Sequence, residues 1–251
     1  MNLNILRFDI IDSTNSEAAR QAKLGADEGL CVIARQQTAG RGRHGRTWVS
    51  IKDAGLYFSI VLRPKIDMRF LPLITLMTGV AVYDALAELG LKPDIKWVND
   101  ILINEKKICG ILAETVDSQT GLAVIVGIGI NLTSKNFPDE IADTATSLED
   151  ESANKTIKGV DVETILAKYL GYWYVILCDK GGNTKILEEW RRRSSYFSGK
   201  SVRVTLDGIA FNGFTDGLEE NGALRVRKGD GSLKIVQAGD VVRLREEVTT
   251  R

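Results

Sequence analysis

Ile108-Cys109-Gly110-Ile111-Leu112-Ala113-Glu114-Thr115-Val116 and Leu122-Ala123-Val124-Ile125-Val126-Gly127-Ile128-Gly129-Ile130 are two β-prone runs separated by Asp117-Ser118-Gln119-Thr120-Gly121. Runs this close in sequence read as an antiparallel hairpin, because parallel partners need a crossover of about a dozen residues or more. A third run, residues 94–98, precedes them, with Asn104-Glu105-Lys106-Lys107 as a second turn. Further out, residues 5–10 read as a strand leading into Asp12-Ser13-Thr14-Asn15-Ser16-Glu17. There Thr14 and Glu17 have capping-box spacing, so a short alanine-rich helix ending near Gly25 is expected. Residues 30–34 and 56–62 read as strands, and 69–89 as a helix with Gly90 just past its end. Residues 131–158 are polar and loop-like, whereas 162–177 and 184–193 read as helices. The triple Arg191-Arg192-Arg193 is expected to be a solvated helix end, its cations favourably placed at the C-terminus. Consecutive hairpins and separate helices argue an α+β fold with a mixed, largely antiparallel sheet, not alternating β-α-β.

After Ser198 the character changes. Short β-rich runs at 201–206, 209–215, 223–227, 233–236 and 241–244 are divided by Asp207-Gly208, Asn221-Gly222, Asp230-Gly231 and Gly239-Asp240. Turn signals at that spacing point to a small SH3-like barrel. The expected division is 1–198 for a domain with the chemistry and 199–251 for the barrel.

Composition narrows the function. Lys+Arg and Asp+Glu both number 33, so no global field favours nucleic acid or a membrane surface. The start of the chain lacks the features of a signal peptide, and the most apolar segment, 70–82, is interrupted and too short to span a bilayer. Cys31, Cys109 and Cys178 lie far apart in apolar runs and read as buried thiols of a cytoplasmic protein. His44 is the single histidine, so any Ser/His/Asp triad or Cys/His pair would have to use it.

The segment with the most chemistry is Gly40-Arg41-Gly42-Arg43-His44-Gly45-Arg46, inside a stretch from Gly29 to Lys52 that contains no acid. Glycines let backbone N–H groups approach a ligand, and arginines add charge and forked donors suited to phosphate or carboxylate. Gly40, Gly42 and Gly45 satisfy the G-x-G-x-x-G spacing of dinucleotide sites, but that motif needs a helix opening at its third glycine. Here β-prone Arg46-Thr47-Trp48-Val49-Ser50 follows, so the reading fails. A solvated basic turn and an RNA-binding Gly/Arg segment remain open on the residues alone.

Four segments in order resemble the biotin–protein ligases. They are Asp12-Ser13-Thr14-Asn15; Gln37-Thr38-Ala39 with the Gly/Arg loop and Trp48; Lys96-Trp97-Val98-Asn99-Asp100; and Lys107-Ile108-Cys109-Gly110-Ile111-Leu112 with Gly127-Ile128-Gly129-Ile130-Asn131. The resemblance covers nearly the whole chain. It implies a class II synthetase-like ligase domain with a C-terminal SH3-like domain, biotin and ATP as substrates with Mg²⁺, and a biotin carboxyl carrier protein domain as acceptor. It is compatible with a homodimer. By the resemblance, Ser13, Thr14, Asn15 and Gln37 meet the biotin ureido group, and Arg41, Gly42 and Arg43 wrap its chain and the acyl-phosphate. Lys107 and Arg43 are the expected catalytic residues, and Gly110 and Gly127 let backbone approach the ligands. Arg46, Trp48, Asn99, Asp100 and Asn131 are assigned to ATP, with Asp100 also the candidate Mg²⁺ ligand. The loop is expected to close as a lid, its arginines finding anionic partners only when adenylate is bound.

There are two departures from the family pattern. Val98 stands where the family commonly has proline before Asn-Asp. Ser13-Thr14-Asn15 begins so early that no N-terminal DNA-binding repressor domain is expected. Rival readings are a lipoate–protein ligase, which shares the reaction logic, and an RNA-binding module, which the neutral charge disfavours.

Overall fold

The computed structural model describes residues 3–152, 158–206, 208–237 and 239–243. Its larger sheet is built from β1 (Asn4–Ile11), β2 (Leu30–Gln37), β3 (Gly55–Leu62), β4 (Asp94–Lys96), β5 (Asp100–Ile103), β6 (Lys106–Ser118) and β7 (Gly121–Asn131). Their order across the sheet is β1-β2-β3-β7-β6-β5-β4. The helices are α1 (Thr14–Lys23), α2 (Leu73–Glu88), the single turns α3 (Asp139–Ala142) and α4 (Leu148–Glu151), then α5 (Gly159–Cys178) and α6 (Gly182–Arg192). The β6–β7 hairpin is the centre of the architecture, with β3 on one side and β5 on the other. One β-α-β unit is present: β1 and β2 are parallel and connected through α1. The sheet is therefore mixed, with antiparallel pairs from β2 onward.

Both faces of the sheet are covered, and strand alternation sorts the side chains between them. Cys31, Ile33, Phe58, Ile60, Val126 and Ile128 join the main core with α2, α5 and α6, whereas Leu30, Val32, Val61 and Ile125 pack with Ala18 and Ala22 of α1. α2 is apolar nearly all round because it is enclosed, with 11 of its 16 residues buried. α1 spans only about 15 Å. Beyond its N-terminus the same sheet face carries Ser59, Gly127 and Gly129, and opposite them Leu112 and Gly110. That uncovered floor holds the candidate site.

Several local expectations change. Ser13, not Thr14, is the N-cap of α1, its hydroxyl accepting from the Ser16 N–H. The helix expected over 69–89 is divided by Pro72: Met68–Phe70 forms a 3-10 turn and α2 begins at Leu73. Pro72 has no N–H to continue the hydrogen bonding of the preceding turn, and its fixed φ suits the position just ahead of a new helix; Leu71 before it stays helical at φ −52° and ψ −37°. β4 ends at Lys96, and the sequence reading missed β5, a four-residue run hidden behind Asn99. Asn104 and Glu105, at φ 50° and 65°, make the tight turn from β5 into β6. Residues 153–157 of the expected loop, Asp207 of the first barrel turn, and Leu244 with the remainder of the C-terminus lie outside the described residues.

A separate small antiparallel sheet follows, made of β8 (Ser198–Leu206), β9 (Ile209–Leu218), β10 (Leu224–Arg227), β11 (Leu233–Val236) and β12 (Asp240–Arg243), in the order β11-β10-β9-β8-β12. Val202, Val204, Leu224 and Val226 join the main core. The Trp97 indole N–H donates to the Gly222 carbonyl at 2.9 Å, which fixes the small sheet against the larger one.

Arg193 is not solvated as the sequence reading had it. Its guanidinium donates to Asp84 at 2.7 Å and to Glu189 at 2.6 Å, and lies over the Trp173 ring, so it ties α2, α5 and α6 together. Burial disfavours the charged Glu189, but hydrogen bonds from Arg193 and Lys185 outweigh it and hold the carboxyl below its usual pKa. This contribution is present above the ordinary carboxylate range and is lost as pH falls through the lowered value. Arg193→Ala is expected to lower the unfolding free energy by about 2 kcal/mol, since it takes charge-assisted hydrogen bonds from two largely buried carboxylates, Asp84 keeping the Trp173 indole N–H and Glu189 keeping Lys185 and Arg192. Urea unfolding at several pH values checks this: the deficit should be largest at neutral pH and shrink towards acid.

Candidate active site

Two adjoining cavities, of about 370 and 690 Å³, open on the uncovered sheet floor and share Thr47, Trp48, Lys96, Asp100, Lys107 and Val242. Both lie in the size range of small-molecule sites. The first is lined by Ser13, Thr14, Asn15, Gln37, Arg41, Gly42, Arg43, Arg46, Trp48, Asn99, Asp100, Lys107, Gly110 and Gly127. Asn131 lines the second, beside Thr144, Ala145 and Tyr196. Every residue given a binding or catalytic role from the sequence therefore lines one cavity or the other.

At the α1 end the polar groups form one network. The Thr14 N–H donates to Gln37 Oε1 at 2.8 Å, and Gln37 Nε2 donates to the Ser50 hydroxyl at 2.7 Å. Ser59, fully buried, donates to Asn15 Oδ1 at 2.7 Å and lies 2.8 Å from the Thr14 hydroxyl. Asn15 Nδ2 donates to the Leu112 carbonyl at 3.2 Å and to Glu114 Oε2 at 2.9 Å. Both amide protons of Asn15 are thus engaged within the protein, which leaves a ligand only the remaining lone pair of Oδ1. Gly127 is required here: a Cβ on it would stand 2.0 Å from Asn15 Oδ1.

The Gly/Arg loop is closed on itself. Arg41 and Thr47 form an isolated antiparallel bridge, the Gly42 N–H donates to the Arg46 carbonyl at 2.7 Å, and a 3-10 turn at Arg43–Gly45 makes the reversal. The chain leaves at Arg46 in extended geometry, so no helix stands at the third glycine. Arg41 donates to Glu114 at 2.7 Å. The expectation that this arginine finds an anionic partner only with adenylate bound is corrected: its acid comes from β6, far outside the acid-free stretch. Arg43 reaches Asn99 Oδ1 at 3.3 Å and the Gly239 carbonyl at 3.5 Å, which brings the loop against both the β4–β5 turn and the small sheet. The Trp48 indole lies across the sheet floor, where side chains on Gly110 and Gly129 would meet it at 2.8 and 2.4 Å. At these positions the glycines admit the indole and, at Gly127, Asn15.

Where the cavities join, the Lys107 ammonium pairs with Asp100 Oδ1 at 2.6 Å and stands 5.2 Å from the Trp48 ring. Lys96 adds a second cation, 3.8 Å from Asp100. The backbone of Lys107 is held by its N–H donating to Thr144 and its carbonyl accepting from Thr146. Asn131 Nδ2 donates to the Thr146 carbonyl at 3.0 Å, so it fixes the segment that fixes Lys107. The peptide before Val98 is cis, and Asn99, whose Nδ2 donates to the Ile111 carbonyl at 2.8 Å, faces the cavity. One carboxylate between two ammonium groups is a poor seat for a resident divalent cation. No group of three His, Cys, Asp or Glu side chains that could hold a metal exists among the described residues.

Sequence reasoning passed over Glu114, Ser59, Ser50 and Lys96, and the wall that Thr205, Val241 and Val242 contribute from the small sheet. Ser59 had a signal, a polar residue inside the apolar run of β3. Glu114 had none, because its partner Arg41 lies 73 residues away.

Comparisons with known proteins identify the family. Residues 8–131 match the Biotin/lipoate A/B protein ligase family and residues 197–244 the Biotin protein ligase C terminal domain. The chain is 38% identical over 249 residues to the bifunctional ligase/repressor BirA of Bacillus spizizenii, covering 95% of this chain and 74% of that protein. It is 34% identical to the biotin--[acetyl-CoA-carboxylase] ligase of Paracoccus denitrificans, covering 92% of this chain and 96% of the relative. Among solved structures, the biotin protein ligase from Aquifex aeolicus in complex with biotin and ATP is similar at a TM-score of 0.81 and 29% identity, covering 96% of this chain and 99% of that one.

Proposed function

This chain belongs to the Biotin/lipoate A/B protein ligase family and is a biotin–protein ligase, and from that premise we propose that the two joined cavities are where biotin and ATP meet. The α1 end takes the ureido ring, and the larger cavity beyond Trp48 takes the nucleotide. One biotin carboxylate oxygen attacks the α-phosphorus of ATP, the bond to the β-phosphate oxygen breaks, and pyrophosphate leaves. The ε-amine of an acceptor lysine then attacks the acyl carbon of biotinyl-adenylate; the amide forms, AMP leaves, and the amine loses a proton. The acceptor is a biotin carboxyl carrier domain of a biotin-dependent carboxylase, and the reaction belongs in the cytoplasm.

The observation that carries this reading is the position of Lys107, at the junction of the cavities with a carboxylate as its present partner. Two anions must approach there, and a fixed ammonium offsets their repulsion and the charge that builds on the phosphorane. Asp100 orients Lys107, and Arg43, Arg46 and Lys96 complete a cationic surround. Mg²⁺ enters with ATP as part of the nucleotide substrate, since the described residues offer it no cluster of three His, Cys, Asp or Glu side chains. Among the described residues no helix is long and apolar enough to cross a membrane.

Exchange of labelled pyrophosphate into ATP tests the assignment without an acceptor. Exchange is expected with biotin and MgATP and to be absent without either. Exchange supported by lipoate and not by biotin would transfer the site to the other acid.

A further inference from the structure

Glu114 lies on β6 at the α1 end of the cavity, and its Oε2 accepts two hydrogen bonds from two different elements. Arg41 Nη2 of the Gly/Arg loop donates at 2.7 Å, and Asn15 Nδ2 at the start of α1 donates at 2.9 Å. Asn15 is held in its orientation by Ser59 at Oδ1 and by the Leu112 carbonyl at Nδ2, in the space that the absent side chain of Gly127 leaves. A carboxylate oxygen set by Asn15 therefore decides where Arg41, and with it the mouth of the loop, comes to rest. The pair is neither buried nor free: the side chains are 45% exposed at Arg41 and 34% at Glu114. An ion pair at that exposure is modest, strong enough to bias the loop and weak enough to open.

We propose that Glu114 is a positioning residue that clasps the Gly/Arg loop over the biotin end of the cavity, one carboxylate oxygen joining Arg41 of the loop to Asn15 beneath the ring. The proposal rests on the reading that this end takes biotin. When the clasp is made, the loop covers the entry from the α1 side, and biotin escapes only when Arg41 lets go of Glu114. Retention of biotin is thereby tied to the seating of Asn15.

The test measures dissociation of labelled biotin from the full chain, as wild type, Glu114→Gln, Arg41→Gln and the double variant. Each single change is expected to speed dissociation about 10-fold, the worth of a charge-assisted hydrogen bond at partial exposure. The double variant is expected to release biotin no faster than either single one, since both break the same contact. Wild-type dissociation should accelerate with added salt, while the variants should be nearly flat. In steady state the change in Glu114→Gln should fall on KM for biotin and not on kcat. Additive effects in the double variant, or unaltered dissociation in Glu114→Gln, overturn the clasp while wild type still holds biotin. Failure of wild type to bind biotin overturns the clasp and the site assignment together. Should Glu114→Gln not fold, Arg41→Gln, on the exposed loop, carries the same comparison.

Discussion

Lys107→Ala is expected to slow adenylate formation by about 10²–10³, equivalent to roughly 3–4 kcal/mol of lost transition-state stabilisation. The ammonium stands at the junction of the two cavities, 2.6 Å from Asp100, and its backbone is held on both sides by Thr144 and Thr146. That anchoring makes it preorganised: little rearrangement is needed when carboxylate and phosphate approach. Removing it should leave the fold intact, because the side chain is about one-third exposed and Asp100 keeps Lys96 as a cation 3.8 Å away. Binding of ATP should weaken far less than the rate falls, since Arg43, Arg46 and Lys96 remain. Lys106, the neighbour in sequence, is exposed at the start of β6, and Lys106→Ala is the control expected to behave as wild type. Single-turnover formation of biotinyl-adenylate measures the step directly. A near-normal rate in Lys107→Ala would remove the residue from the chemistry and leave it a partner of Asp100 alone.

Much of this arrangement could be read before any coordinates. The β6–β7 hairpin announced itself because two long apolar runs lay within five residues of one another, and hairpin pairing is local. The Gly/Arg loop and Lys107 were found through short contiguous motifs, and the cavities gather them. What escaped were contacts between segments distant in the chain. Glu114 reads as one polar residue in a strand until the fold sets it beside Arg41 and Asn15. Arg193 reads as a helix-end cation until α2 brings Asp84 against it. β5 was missed because four residues carry too little periodicity to stand out, and Thr14 leaves the capping role to Ser13 because its hydroxyl, like its N–H, donates to Gln37 of β2. Apart from β5, the competing partner came from tertiary structure, about which local spacing carries no information.

Gly127→Ala is expected to weaken biotin binding by about 100-fold or more and to lower stability by about 2–3 kcal/mol. The reasoning is geometric. Gly127 sits mid-sheet, paired with Ser59 on β3 and Leu112 on β6, so its backbone has no freedom to move aside. A Cβ there would stand 2.0 Å from Oδ1 and 2.8 Å from Cγ of Asn15, well inside any real contact. Asn15 must therefore swing away, breaking its bonds to Ser59, the Leu112 carbonyl and Glu114 and leaving the buried Ser59 hydroxyl with one partner fewer. Its displaced amide can move only into the cavity, where it occupies the space assigned to the ureido ring. ATP binding, at the far side of Trp48, should be nearly unaffected, so titrating each substrate separately distinguishes this from general damage. A second substitution separates the two losses. Asn15→Ala in the Gly127→Ala background removes the clash, so stability should partly return while affinity for biotin stays low, because the group that seats Glu114 is gone. Wild-type affinity for biotin in Gly127→Ala alone would mean that Asn15 has another place to go, and that the α1 end of the cavity is not held by the network drawn around it.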